Sequence, residues 1–228
     1  MQTTLPFAEA IEAILFDMDG TLVDSDDLAV AALAARLRPI LGRRAAPAAR
    51  WLWMKAETPG NALITLLDIF HLDRPLLGLA HWLRGGREKS GQEDFPLIDG
   101  VEEMLRLVHG RYRLGVVTTR GRTHIEAFFN AYPQLAPLFT VSCSADDTRR
   151  LKPHPAPVQR AARELGLPAH ACLMVGDTTM DVLSGRRAGA KTVGVLCGFG
   201  ERRELERSGA DAVLASTALL AQKLGLPT

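Results

Sequence analysis

The chain lacks several features that would narrow its role at once. No stretch of its 228 residues approaches the roughly 18 apolar side chains in a row that a membrane-spanning helix needs. Residues 1–10 have no basic start and no long apolar run, so no signal peptide is expected. Cysteine is scarce: Cys143, Cys172 and Cys197 each lie in or beside an apolar run. An odd count without paired spacing argues against a disulfide framework and for buried thiols in a reducing, cytoplasmic setting. Charge of one sign is lacking as well, since the formal net charge is +1, and nucleic-acid binding is not expected. There is no internal repeat and no low-complexity tract. Histidines 71, 81, 109, 124, 154 and 170 show no metal-binding spacing. What remains, at 47% hydrophobic and 23% charged residues, is ordinary globular composition, long enough for one core or one core with an inserted module.

Four short segments carry the information. Ala13-Ile14-Leu15-Phe16 is an apolar run of strand character, followed by Asp17-Met18-Asp19-Gly20-Thr21. Side chains alternate along a strand, so Asp17 and Asp19 leave its end toward the same side. In an open α/β sheet, the crevice beyond the carboxyl ends of the strands is where ligands bind. A second acidic pair, Asp177 and Asp181, follows the apolar run Ala171–Val175 and stands where a helix begins. Between them, Leu114–Val117 ends in the hydroxyls of Thr118 and Thr119, and Leu151-Lys152-Pro153 offers a single ammonium.

Each segment has a plainer explanation. Asp before Gly commonly shapes a turn, and Asp177 and Asp181 are suited to capping a helix start. Thr118 could merely end a strand and Lys152 merely sit in a solvated loop. Their common register at strand ends across a βα pattern is what favours chemistry.

Four carboxylates, a hydroxyl and an ammonium suit phosphoryl transfer through a covalent aspartyl phosphate, with a carboxylate as nucleophile. Crowded acids without Cys or His imply a hard, oxygen-loving cation, most simply Mg²⁺. That cation would let Asp17 approach an anion. Thr118, Thr119 and Lys152 would hold the other phosphate oxygens. Asp19 would protonate the leaving oxygen and then activate water.

These segments, in this order, resemble the four motifs of the haloacid dehalogenase superfamily, closest in wording to its phosphoglycolate-phosphatase-like members. The resemblance spans the chain from about residue 11 to its end. It implies Asp17 as nucleophile and Asp19 as general acid/base. It implies a Mg²⁺ site made by Asp17, the backbone carbonyl of Asp19, and Asp177, with Asp181 as a ligand or just behind the ligands. Thr118 and Lys152 would bind the transferring phosphate. Two positions depart from the phosphoglycolate phosphatase type: Thr119 stands where Asn is usual, and Leu151 where Gly usually precedes the lysine.

The remaining pattern gives an α/β fold: a Rossmann-like parallel sheet with helices on both faces. Strands are expected at 13–17, 112–118, 138–143, 171–175, 191–196 and 211–214. Helices are expected at 100–109, 122–131, 154–165, 178–188, 201–208 and 217–224. Residues 1–22 and 96–228 would form this core. Residues 23–95 read as helices alone, roughly 25–42, 47–55, 60–71 and 75–88, and form an inserted helical cap domain. A cap at that point in the chain would close over the acids and contribute specificity. Six basic residues and no acid lie between Leu28 and Ala56, and among them Lys55 is singled out as a cap contact to substrate.

The expected function is therefore a Mg²⁺-dependent phosphatase acting on a small phosphorylated metabolite, phosphoglycolate-like or a sugar phosphate. The expected state is a monomer or homodimer, without nucleic-acid or membrane partners. A phosphomutase of the β-phosphoglucomutase type would use the same acids, and an inorganic pyrophosphatase is a further alternative. Phosphonate hydrolases and dehalogenases would not need Asp19, and a non-enzymatic binding module need not keep Asp17, Asp19, Lys152 and Asp177 together. Gly198-Phe199-Gly200 lacks the third glycine of a dinucleotide fingerprint. His154 and Arg120 lie near the site by sequence alone.

Overall fold

The computed structural model describes residues 4–24, 42 and 95–227. By internal contacts the chain divides into two compact units, Met1–Leu28 with Phe95–Thr228, and Ala29–Asp94. The helices expected within 25–88, and Lys55 with them, lie outside the described residues.

The described unit is a six-stranded, wholly parallel sheet in the order β3-β2-β1-β4-β5-β6. Its strands are β1 (Ala13–Phe16), β2 (Arg113–Val117), β3 (Phe139–Cys143), β4 (Cys172–Gly176), β5 (Lys191–Val195) and β6 (Ala212–Leu214). Between and after them run α1 (Val101–His109), α2 (Arg122–Ala131), α3 (Ala156–Glu164), α4 (Thr179–Ala188), α5 (Arg202–Arg207) and α6 (Leu220–Lys223). The expected α/β architecture is the one observed.

Burial explains why these segments take these forms. Every residue of β1 is buried, as a central parallel strand covered on both faces requires. Ile14 and Phe16 join one apolar cluster with Val116, Met104, Leu105 and Phe128. Their neighbours Ala13 and Leu15 join the other, with Val117, Met174, Val158 and Ala161. Each fully buried large side chain of this kind contributes about 1.5–3 kcal/mol. Helix α1 buries Val101, Met104, Leu105 and Val108, the spacing of one helical face, and carries Glu102 and Glu103 in its first turn, where acids suit the macrodipole.

The ends differ from expectation in small ways with local causes. The helix expected over 154–165 starts at Ala156, after the rigid Pro153 and Pro155. The one expected over 217–224 splits into a 3₁₀ turn at Thr217–Leu219 and α6. There the Ser216 side chain accepts from the Ala218 N–H at 3.3 Å and tightens the first turn. At the other boundary, Val23 and Asp24 stay with the sheet: Val23 pairs antiparallel with Leu97, and the Asp24 N–H donates to the Pro96 carbonyl at 2.7 Å.

Candidate active site

Strand register builds the site. Phe16 is level with Val116 of β2 and Val175 of β4, so the residues just beyond these strands emerge together. Asp17, Thr118 and Asp177 occupy those positions, at the carboxyl edge where the sheet order reverses direction. The Asp17 N–H continues the ladder to the Val175 carbonyl at 2.9 Å, and the Thr118 N–H donates to Cys143 at 3.0 Å. Both residues are nearly enclosed, at 8% and 3% exposure.

Lys152 ties the acids together. Its buried ammonium donates to Asp17 Oδ1 at 2.7 Å, to Asp181 Oδ1 at 2.6 Å and to the Val117 carbonyl at 2.9 Å. These three acceptors match its three protons. Burial pulls the Lys152 pKa down, but the attraction of Asp17 and Asp181 outweighs it and the ammonium is held charged. For Asp17, burial dominates and raises the carboxyl pKa to about 7. Lys152 works against that rise, while Asp181 and Asp19 add to it.

Asp181 does two things at once. Its Oδ2 accepts from the Thr178 N–H at 3.1 Å and from the Thr178 hydroxyl at 2.6 Å, the reciprocal box that caps α4. Its other oxygen faces Lys152. One carboxylate thus caps α4 with one oxygen and bonds the buried Lys152 with the other.

Asp177 is completely buried and sits in a cradle of backbone. The Phe199 N–H donates to its Oδ2 at 2.9 Å, and the Thr21 hydroxyl lies 3.4 Å from Oδ1. Gly20 and Gly198 flank the same carboxylate, and a Cβ at either would collide with Oδ2. Gly20 also holds φ at +69°, where a side chain is strained. The Gly198-Phe199-Gly200 segment, which fails as a dinucleotide fingerprint, thus has a different task. A paired glycine just after β5 was its visible signal, and the partner across the site was not.

One oxygen from each of Asp17, Asp177 and Asp181 can be chosen so that all three lie within 4.8 Å of one another. Three buried carboxylates with an all-oxygen donor set fit a hard divalent cation, and Lys152 balances only one of their charges. Asp19 does not direct its carboxylate into this cluster. It meets Arg120 instead, with Nε 2.9 Å from Oδ2 and Nη2 3.3 Å from Oδ1. Thr119 is exposed beside Thr118. His154 serves the start of α3, its Nδ1 accepting from the Ala156 N–H at 3.2 Å and its carbonyl accepting from Ser184 at 2.8 Å. Burial pushes the Cys143 and Cys172 thiols up to about 11, so they stay protonated.

Comparison with known proteins identifies the family. The sequence profile of the haloacid dehalogenase-like hydrolases matches residues 14–195. A pyrophosphatase, PpaX, of Bacillus pumilus is 31% identical over 188 residues, covering 81% of this chain and 83% of that protein. A phosphoglycolate phosphatase of Yersinia pseudotuberculosis is 27% identical, covering 96% of both. Among solved structures, a hydrolase from Pseudomonas syringae superposes with a TM-score of 0.68 at 26% identity, over 94% of this chain and 98% of that one. The chain belongs to the haloacid dehalogenase-like hydrolases.

Proposed function

We propose that this hydrolase is a Mg²⁺-dependent phosphatase that cleaves a small phosphate monoester through a phosphoryl group carried on Asp17. The observation that carries the reading is the cluster of Asp17, Asp177 and Asp181 at the carboxyl edge of the sheet, two of whose members, Asp17 and Asp181, share one buried ammonium, Lys152. Asp17, Asp177, Asp181 and the Asp19 carbonyl would hold the cation. When bound, it supplies neutralisation of the acids and polarisation of the phosphate.

The side chains divide the remaining work. An Asp17 oxygen attacks phosphorus, the bond to the leaving oxygen breaks, and Asp19 gives that oxygen its proton. Asp19 then takes a proton from water, whose oxygen attacks phosphorus and releases Asp17 with inorganic phosphate. Lys152 and Thr118 steady the phosphate oxygens, and Thr119 lies next to them. Lys152 already contacts the nucleophile at 2.7 Å, so it lowers the cost of bringing an anion to an anion.

Phosphoglycolate-like or sugar phosphates are the proposed substrates. The insertion less the core residues Val23, Asp24 and Phe95, that is residues 25–94, would form the cap that selects among them, with Lys55 as one contact. The name of the Bacillus pumilus relative favours a second reading, hydrolysis of inorganic pyrophosphate by the same residues. A phosphomutase would also use them but return the phosphoryl group to a sugar before water takes it. We assign the protein to the cytoplasm on its unpaired thiols, as a monomer or homodimer. No described helix is long and apolar enough to cross a membrane.

The test is Mg²⁺-dependent phosphate release from phosphoglycolate, pyrophosphate, nucleotides, sugar phosphates and an aryl phosphate, wild type beside Asp17→Asn. Release that needs both Mg²⁺ and Asp17 supports the phosphatase. Phosphoryl exchange between sugar positions without net release would replace it by the mutase. Inertness toward every compound would refute both.

A further inference from the structure

Arg120 begins the loop after Thr118 and Thr119, yet its side chain reaches a carboxylate 101 residues away in sequence. The contact is a fork: Nε and Nη2 each face a different oxygen of Asp19, at 2.9 and 3.3 Å. Two-point contact of this kind fixes the plane of a carboxylate as well as its place, which a single ammonium cannot do. The backbone of Arg120 is itself held on both sides. Its N–H donates to the Thr118 hydroxyl at 3.1 Å, and its carbonyl accepts from the Ala145 N–H at 2.8 Å. On the other partner, the Asp19 main chain is pinned by the turn in which Gly20, Thr21, Leu22 and Val23 bond back to Val23 and Met18. Both backbones are fixed, and the fork settles the torsions between them.

Stability does not explain this pair. The Arg120 side chain is 54% exposed and that of Asp19 21%, and ion pairs so open to water add little to folding. Direction does explain it. Lys152 gathers Asp17 and Asp181, while Arg120 forks Asp19, which is not one of the three clustered carboxylates. The acid's carboxylate is thereby given a fixed direction of its own, from which it can face the oxygen that leaves.

We propose that Arg120 is the positioning residue for Asp19. It fixes the acid's orientation and stabilises the carboxylate formed when the proton is given away. In that step the Asp19 O–H bond breaks, the proton goes to the leaving oxygen as its bond to phosphorus breaks, and the negative charge stays beside the guanidinium. The inference rests on the phosphatase reading and on Asp19 as its acid. It adds a residue from the second motif's loop to the proton-transfer machinery.

A structural role and a proton-directing role differ in how they depend on the leaving group. An alkoxide needs its proton, whereas p-nitrophenolate departs without one. The experiment compares kcat on p-nitrophenyl phosphate with kcat on an alkyl phosphate for wild type, Arg120→Ala, Arg120→Lys, Asp19→Asn and the Asp19→Asn/Arg120→Ala pair. General acids typically contribute ~10²–10⁴-fold, so Arg120→Ala is expected to lose about tenfold or more on the alkyl ester and several-fold less on the aryl ester. Arg120→Lys keeps the charge but not the fork, and is expected to fall between with the same bias. In the Asp19→Asn background, Arg120→Ala is expected to cost less than about twofold, since the two residues act as one unit. Equal losses on both esters would overturn the proposal, as would a full additional loss in the double variant or wild-type rates from Arg120→Ala. If wild type hydrolyses neither ester, the phosphatase reading fails first and takes this inference with it.

Discussion

Lys152 Nζ stands 2.7 Å from Asp17 Oδ1 and 2.6 Å from Asp181 Oδ1, a single buried cation shared by the first and last acids of the site. Removing one partner of a buried pair leaves uncompensated charge, at a typical cost of about 3–5 kcal/mol. Lys152→Met is therefore expected to lower the unfolding free energy of the metal-free protein by about 3 kcal/mol. Saturating Mg²⁺ is expected to restore part of it. Phosphate release is expected to fall by about 10²–10³-fold, the usual consequence of losing a preorganised charge contact. Urea unfolding with and without Mg²⁺, beside a turnover assay, checks both. Unchanged stability in the absence of metal would mean that the pair is not the link the distances imply.

Asp17→Asn keeps the shape of the side chain and removes the nucleophile. Turnover is expected to vanish, while a nearly wild-type fold persists because the amide can still accept from Lys152. Acid-quenched protein incubated with labelled substrate is expected to carry phosphate in wild type and none in the variant. Retained turnover would move the nucleophile elsewhere.

The raised Asp17 pKa, about 7 against an ordinary 3.8, has a sign that can be tested. A group whose folded pKa is raised stabilises the fold below its unfolded pKa and loses that contribution as pH rises through the folded value. Metal-free protein is therefore expected to lose stability between about pH 4 and pH 7 relative to Asp17→Asn. A cation needs the anionic form, so the rise in Tm on adding Mg²⁺ is expected to be larger at pH 7.5 than at pH 5.5. Thermal melts of both proteins at the two pH values decide it; an equal Mg²⁺ effect at each would argue that Asp17 is not a ligand.

Much of this was legible because the sheet advertises its working edge. Strands β1 and β4 are unbroken apolar runs, β2 is one from Leu114 on, and each is followed at once by polar residues. A reader of the sequence can therefore find Asp17, Thr118 and Asp177 from hydrophobic pattern alone. Asp181 was findable as a helix start, and the structure adds that the capping oxygen and the Lys152-facing oxygen belong to one carboxylate. The Arg120 fork and the Gly198–Gly200 cradle were not legible. Both depend on loops meeting across the sheet, 101 residues apart for Arg120 and Asp19 and 22 for Phe199 and Asp177, and no local period encodes that meeting. The 3₁₀ turn at Thr217–Leu219 was missed for a different reason: one side-chain cap outweighed an apolar pattern that also suits an α-helix.

The glycines around Asp177 make the cradle testable. Gly198→Ala puts a methyl group against Asp177 Oδ2 and the Gly20 carbonyl, where backbone cannot yield cheaply. The expected outcome is a carboxylate pushed off its place, seen as at least tenfold more Mg²⁺ needed for half-maximal activity, about 1.4 kcal/mol of lost binding. Gly209→Ala, which meets only the far end of the flexible Arg186 side chain, is a control for glycine loss with strained φ of its own, +86°. A Mg²⁺ requirement raised equally in both would refer the effect to general destabilisation rather than to Asp177.

Thr178 reaches the site without offering it a ligand. Its hydroxyl is 2.6 Å from Asp181 Oδ2, and its N–H is bonded to the same oxygen. Losing an N-cap hydroxyl costs about 1 kcal/mol, so Thr178→Ala is expected to lower stability by that much. It also removes the shorter of the two donors to Asp181 Oδ2 and leaves only the Thr178 N–H there, while the other oxygen is held toward Lys152 among the hydrogen bonds described. Looser orientation of a carboxylate costs metal affinity, typically by 10–100-fold when a partner behind a ligand is lost. Thr178→Ser keeps the hydroxyl and is expected to keep both stability and Mg²⁺ dependence near wild type. Mg²⁺ titrations of activity and of Tm, run on the two variants together, separate the cap from the site. A variant that loses stability but not Mg²⁺ affinity would show that Asp181 matters to α4 and not to the cation.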